Sequence, residues 1–225
     1  MSDYQLIKRC YVLPTPGGAF YAATTQTDEP AKRLLVALMS DSHSQLLGVP
    51  QVCKWTGLKK QDDVLDLLYR IQNLGWIQGE EVSRAAPTGT LEDILPGLLE
   101  SFSSTGKTLL ADSQGFYLAS HGFSHETSEE LSALSADLLA LHERHKGLLN
   151  NNIGLHSEAW SVVDAAGNSQ VGFWPLHIGR QRFVLVLSGV PHFNQLSFVQ
   201  LVWVLSKRYN AISDSNVAEI RTDVG

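Results

Sequence analysis

Between Ser157 and Ser188 the chain has room for little but an antiparallel sheet. Three strand-like runs, Ser157 to Ala165, Gln170 to Ile178 and Arg182 to Ser188, are separated only by Ala166-Gly-Asn-Ser169 and Gly179-Arg180. Turns this short cannot hold the crossover that parallel strands need, so the runs predict a meander. Upstream, Lys107 to Asp112 and Phe116 to Ser120 flank Ser113-Gln-Gly115, a hairpin signal. Helical spacing fills the rest. Leu91, Ile94, Leu95, Leu98, Leu99 and Phe102 recur on one face, with Pro96-Gly97 disturbing the first turns. Thr127-Ser-Glu-Glu130 reads as a capping box that opens a helix running to about Leu149. A last helix, Asn194 to Tyr209, carries Leu196, Val199, Val202, Trp203 and Leu205; after Asn210 a polar tail, 211–225, is expected.

Charge separates this region from the one before it. Residues 1–90 carry nine basic and nine acidic side chains, whereas residues 91–225 carry eight and fourteen, which accounts for the whole net charge of −6. The junction, Gly79-Glu-Glu-Val-Ser-Arg-Ala-Ala-Pro-Thr-Gly89, has no apolar period and reads as a linker, narrowest at 86–90. Two domains are therefore expected in the 225 residues, 1–85 and 91–210, and 44% hydrophobic content suffices for their cores. The longest apolar stretch, Phe198 to Leu205, is about a third of a membrane span, so no membrane insertion is expected. Met1 to Cys10 lacks the basic-then-apolar order of a secretory signal. Cys10 and Cys53 alone make no disulfide framework, and the expected location is the cytoplasm.

The first domain opens with an expected hairpin, Arg9 to Leu13 and Phe20 to Thr24, around Pro14-Thr-Pro-Gly-Gly18. Three helices follow. The first starts at Asp28-Glu29-Pro30 and buries Leu34, Leu35, Leu38 and Met39; the second runs from about Val49 to Trp55 and ends at Gly57. The third, about Lys60 to Leu74, buries Val64, Leu67, Leu68, Ile71 and Leu74 and stops at Gly75; Trp76-Ile77 resumes as a strand. This pattern, over about residues 28–82, resembles a winged helix-turn-helix domain. Such a domain reads DNA with the start of its third helix, which here carries Asp62, Asp63 and Asp66 beside Lys59, Lys60 and Gln61. Carboxylates on that surface would oppose phosphate, so the residues argue against duplex DNA and for a protein contact.

The second domain supports a more specific comparison. Its order, helix, two strands, helix, three strands, helix, is joined to the hairpin Leu109-Leu-Ala-Asp-Ser-Gln-Gly-Phe-Tyr-Leu-Ala-Ser120 on an Asp-x-x-Gly turn. With the Gly167 turn and Phe183-Val-Leu-Val-Leu187 before the last helix, this resembles the roadblock family of dynein light-chain-like domains. The resemblance implies an α+β chain: a winged-helix-like N-terminal domain, then a five-stranded antiparallel sheet with α-helices on its faces. It also implies a homodimer and a non-enzymatic regulatory or scaffold role beside a Ras-like small GTPase. The alternative is a DNA-binding transcription regulator whose second domain dimerises it. On the roadblock topology Ser157 to Ala165 lies at a sheet edge, with Trp160, Val162 and Val163 guarded only by Glu158 and Asp164. The capped helix beside it offers Leu134, Leu138 and Leu141. Leu134, Leu138, Leu141, Trp160 and Val162 are therefore the expected dimer-interface residues.

Nothing in the sequence assigns a catalytic, cofactor-binding or metal residue. Gly106-Lys107-Thr108 ends like a P-loop, but the required first glycine is Ser101, and a helix precedes and a strand follows where the mechanism needs the reverse. His142-Glu-Arg-His145 is one residue short of the zinc-protease spacing and marks no third ligand. His43, His121, His125, His156, His177 and His192 are scattered through expected turns and strands. Cys53 reads as a small buried apolar residue, and Gly122-Phe-Ser124-His-Glu126 lacks the closing glycine of a nucleophile elbow. Among the tryptophans, Trp76 and Trp203 fit core stripes, Trp55 sits at a helix end, and Trp160 and Trp174 are expected to be cross-strand neighbours.

Overall fold

A computed structural model of the chain describes residues 10–222, with side chains to residue 210. Arg9 and the rest of the first nine residues, on which the reading of a missing secretory signal rests, lie outside the described residues. The chain divides into two compact units. One is built from the chain up to Thr88, Ile178–Arg180 and the segment from Asn194 onward; the other comprises Gly89–His177 and Gln181–Phe193.

In the first unit, β1 (Tyr11–Pro14) lies between β2 (Gln45–Leu46) and β3 (Ile77–Glu80), antiparallel to both. The expected hairpin partner of β1 is instead a helix, α1 (Pro16–Thr24). Thr15 caps it by accepting from the Gly18 N–H, Pro16 opens it, and its alanines suit a helix better than a strand. Gly18 is required there: a Cβ would stand 2.0 Å from the carbonyl oxygen of Trp76. The three expected helices follow as α2 (Pro30–Leu38), α3 (Val49–Thr56) and α4 (Gln61–Asn73), with Gly57 in the left-handed region between the last two. Leu34, Leu38, Val52, Val64, Leu67, Leu68 and Ile71 form their shared core. Leu74, expected on the buried stripe, is exposed at the end of α4. Tyr21 stacks on Trp76 at 4.0 Å, and Cys53 is half-buried against this core.

The last helix, α7 (Leu196–Thr222), belongs to this unit and continues through most of the segment read as a polar tail. It packs on α1, whose buried face is Gly18, Ala19, Ala22 and Ala23 and so admits a close neighbour. Phe198 meets Phe20 with ring centroids 6.0 Å apart, and Trp203 Nε1 donates to the Asp41 carbonyl at 2.7 Å. The apolar stripe on α7 was legible in the sequence. Its partner was not, because a stripe does not say which surface covers it.

The second unit begins with α5 (Leu91–Leu99), capped by Thr90 and containing Pro96. It is followed by β4 (Thr108–Asp112), β5 (Tyr117–His121), α6 (His125–Lys146), β6 (Trp160–Val163), β7 (Ser169–Ile178) and β8 (Gln181–Ser188). The strands form one five-stranded sheet in the order β5-β4-β8-β7-β6, in which β4 runs antiparallel to β5 and to β8, and β6 antiparallel to β7. The fold is α+β. α6 covers one sheet face over Leu109, Phe173, Val184 and Val186, and α5 packs on β5 and β4. The cap of α6 is Ser124, accepting from the Thr127 N–H, so Thr127-Ser-Glu-Glu130 lies inside the helix rather than opening it. α6 passes at Gly147–Asn152 into a wider helical turn. Among the described residues, no helix is long and apolar enough to cross a membrane.

Candidate functional site

β6 ends the sheet order, so the strand expected at an edge is at one. It is shorter than the run Ser157 to Ala165, four residues long, because Ser157 and Ala159 precede the ladder and the Asp164 turn closes it. Its register sets Trp160 opposite Phe173 and Val162 opposite Val171. Trp160 and Trp174 are therefore not a cross-strand pair. Trp174 lies one residue past Phe173, on the other face, and meets the ring of Phe193 edge-on at 5.4 Å.

Phe173 and Val171 face α6, and so do Trp160 and Val162. On α6 the residues turned to the sheet are Ser128, Ser132, Ser135, Leu139 and His142, all buried. One flank of the helix, Ala133 and Ala136, lies against Gly115 in the β4–β5 turn, where a Cβ would stand 3.3 Å from Ala133 Cα. The opposite flank looks toward β7 and β6, and it is the leucine flank. Leu131 and Leu138 are half-buried against the core, while Leu134 is 41% exposed and Leu141 37%. Their spacing, Leu131, Leu134, Leu138, Leu141, alternates three and four residues. That is the seam by which one helix packs along another.

Further apolar groups are exposed in and before β6. Val162 is 57% and Val163 54% exposed, and Leu148, Ile153 and Leu155 are exposed in the segment between α6 and β6. Four of the five expected interface residues, Leu134, Leu138, Leu141 and Val162, thus keep apolar area free in the single chain. Trp160, like Leu138, is half-buried and packs on the core of its own unit.

A polar group closes the sheet beneath the C-terminal end of α6. Trp160 Nε1 donates to His142 Nδ1 at 3.3 Å, with the rings edge to face. His177, on β7, pairs with Glu158 at 2.9 Å, and both side chains are largely buried. Burial alone would raise the Glu158 carboxyl. The hydrogen bond to His177, together with the charges of His177, His142 and Arg182, outweighs it and holds the group below its ordinary range. Sequence reading left these histidines scattered. Their partners, Trp160 at the start of β6 and Glu158 just before it, are distant in sequence, and no local spacing marks them.

The near-motifs resolve into structural parts. Lys107 is exposed at the start of β4, and Gly106 turns in the left-handed region before it. His142 is buried and bonded to Trp160, whereas His145 is exposed. His125 Nδ1 pairs with the Tyr117 hydroxyl at 2.6 Å on the surface. Among the described residues, no group of three His, Cys, Asp or Glu side chains is placed to hold a metal ion. The chemistry this surface offers is apolar recognition beside an open strand edge.

No protein-family model matches the chain, and no curated protein sequence does. Among solved structures, a roadblock/LC7 domain from Streptomyces avermitilis is similar at 15% identity and a TM-score of 0.38, over 55% of this chain and 99% of that one. Myxococcus xanthus MglB is similar at 19% identity and a TM-score of 0.32, over 56% of this chain and 95% of that one.

Proposed function

We propose that this chain is a non-enzymatic regulatory or scaffold protein that works as a roadblock-type homodimer beside a Ras-like small GTPase. The observation that carries the reading is the junction of an open strand edge with an unpartnered leucine seam. β6 has a strand on one side only, and α6 turns Leu134, Leu138 and Leu141 to the same side of the sheet. A second copy related by a two-fold axis meets both needs at once, pairing β6 with β6 and seam with seam. Each leucine or valine side chain fully covered contributes about 1.5–3 kcal/mol, so a few of them drive association.

The element order of the second unit supports the GTPase-associated role through its resemblance to roadblock domains. The first unit adds a surface for protein rather than for DNA. Asp62, Asp63 and Asp66 are all exposed at the start of α4, where a major groove would have to approach. The acidic balance of residues 91–225 suits a partner with a basic contact face, since charge complementarity sets on-rate and specificity.

Light scattering at micromolar concentration is expected to give about twice the chain mass. A clean monomer there removes the dimer. Affinity capture with the purified chain from its native lysate is expected to recover a small GTPase, with no nucleotide turnover by the chain alone. GTP or ATP hydrolysis abolished by Lys107→Ala would refute the non-enzymatic part.

A further inference from the structure

We propose that His142 is an acid-sensitive latch on the edge strand β6. An indole N–H can only donate, and that of Trp160 is directed to His142 Nδ1 at 3.3 Å. The Nδ1 atom therefore holds a bare lone pair, and the ring proton sits on Nε2. A second proton can enter only at Nδ1. It removes the acceptor, sets two N–H groups against each other, and places a cation on a side chain that is 4% exposed. Trp160 is the first of only four residues in β6, and the sheet holds that strand from one side. The indole bond thus adds a tether at the start of the strand to the one ladder that β6 makes with β7.

The charged groups around the imidazole come from every neighbouring element. Glu158 stands in the segment before β6, His177 on β7, Arg182 on β8, and Glu143, His145 and Lys146 follow on α6 itself. Glu158 attracts an imidazolium at His142, while Arg182 and Lys146 oppose it. Glu158 is already engaged by His177 in a bond of 2.9 Å. Protonating His177 turns it into a charge-assisted pair. Protonating His142 instead removes the acceptor that holds the first residue of the strand. Because β6 is the edge on which the proposed dimer pairs, the consequence for assembly rests on that reading; the latch itself does not.

The test follows the Trp160 indole N–H signal and the protection factors of the Ser161–Val163 amides from neutral pH down to the lowest pH at which the chain stays folded. On acidification of the wild-type chain the indole signal is expected to shift, with edge protection falling about tenfold. In His142→Gln, whose amide oxygen accepts at any pH, both should stay level. Trp160→Phe keeps an aromatic ring but no N–H; it identifies the signal and should show low edge protection throughout, even if His142→Gln fails to fold. A wild-type indole signal that does not move over this range overturns the latch, as does the same acid response in His142→Gln. Light scattering at neutral pH keeps the two readings apart. A monomer with a titrating indole sinks the dimer and supports the latch; a dimer with a static indole does the reverse.

Discussion

Two aspartates fold their turns in the same way. Asp112 Oδ1 accepts from the Gln114 and Phe116 N–H groups, and Asp164 Oδ1 from those of Ala166 and Asn168. In each turn a glycine three residues on takes the left-handed conformation, Gly115 at φ 89° and Gly167 at φ 86°. The backbone N–H of Asn168 first, then its side chain, holds the Asp164 carboxyl below its usual value. Gly115→Ala combines the wrong φ with a Cβ 3.3 Å from Ala133 Cα. It is expected to cost about 1–3 kcal/mol, read as a lower urea midpoint. Glu158 makes a pH prediction. Its carboxyl is depressed in the fold, so its stabilisation is full above the unfolded value of about 4.3 and is lost as pH falls through the folded one. Glu158→Gln should therefore melt below wild type at neutral pH, and the two melting temperatures should draw together as pH falls through the lowered folded value.

At the scale of one helix, α6 shows how a single element can serve two surfaces. Its inner face is built from serines whose hydroxyls are satisfied within the fold. Ser132 donates to the Ser128 carbonyl at 2.7 Å, Ser135 to the Leu131 carbonyl at 2.8 Å, and Ser128 to Ser120 Oγ at 2.8 Å. Short side chains with no unmet polar group let the helix lie close on the sheet. Ser132→Leu is expected to force that contact open, at about 1–3 kcal/mol in chemical denaturation. The leucine flank behaves differently. Leu134 and Leu141 are exposed, so the double variant Leu134→Glu/Leu141→Glu should keep its melting temperature at high dilution. By the dimer reading it should scatter as a monomer where wild type does not. A variant that stays dimeric places the interface elsewhere.

The whole molecule is not divided where the chain is. The two compact units part at Thr88 and Gly89, but α7 returns to the first unit across the intervening sheet domain in sequence. Phe198 is fully buried and Trp203 is 2% exposed there. A chain ending at Phe193 would leave the small-residue face of α1 uncovered and the Asp41 carbonyl without its indole donor. Such a chain is expected to lose amide protection in α1 and α2, as measured by hydrogen exchange. Retention of native protection there would show that α7 is dispensable to its unit.

The sequence by itself determined what local chemistry controls. Short Gly turns and strand-like runs dictated β4, β5, β7 and β8, apolar periodicity dictated α2 and α4, and a capping signal marked α6; the open edge was expected only from the resemblance to roadblock domains. Where local signals competed, tertiary structure decided. Phe20 to Thr24 has residues suited to either state, and the cap at Thr15 with a close approach to Trp76 made it helix. Residues far apart in sequence meet only when the sheet assembles, so no spacing could announce His142 with Trp160 or Glu158 with His177. The partner of α7 was likewise a choice between two apolar surfaces of similar character. A stripe of leucine, valine and tryptophan records that burial is needed, and only the shape of the facing surface, here the glycine and alanines of α1, selects where.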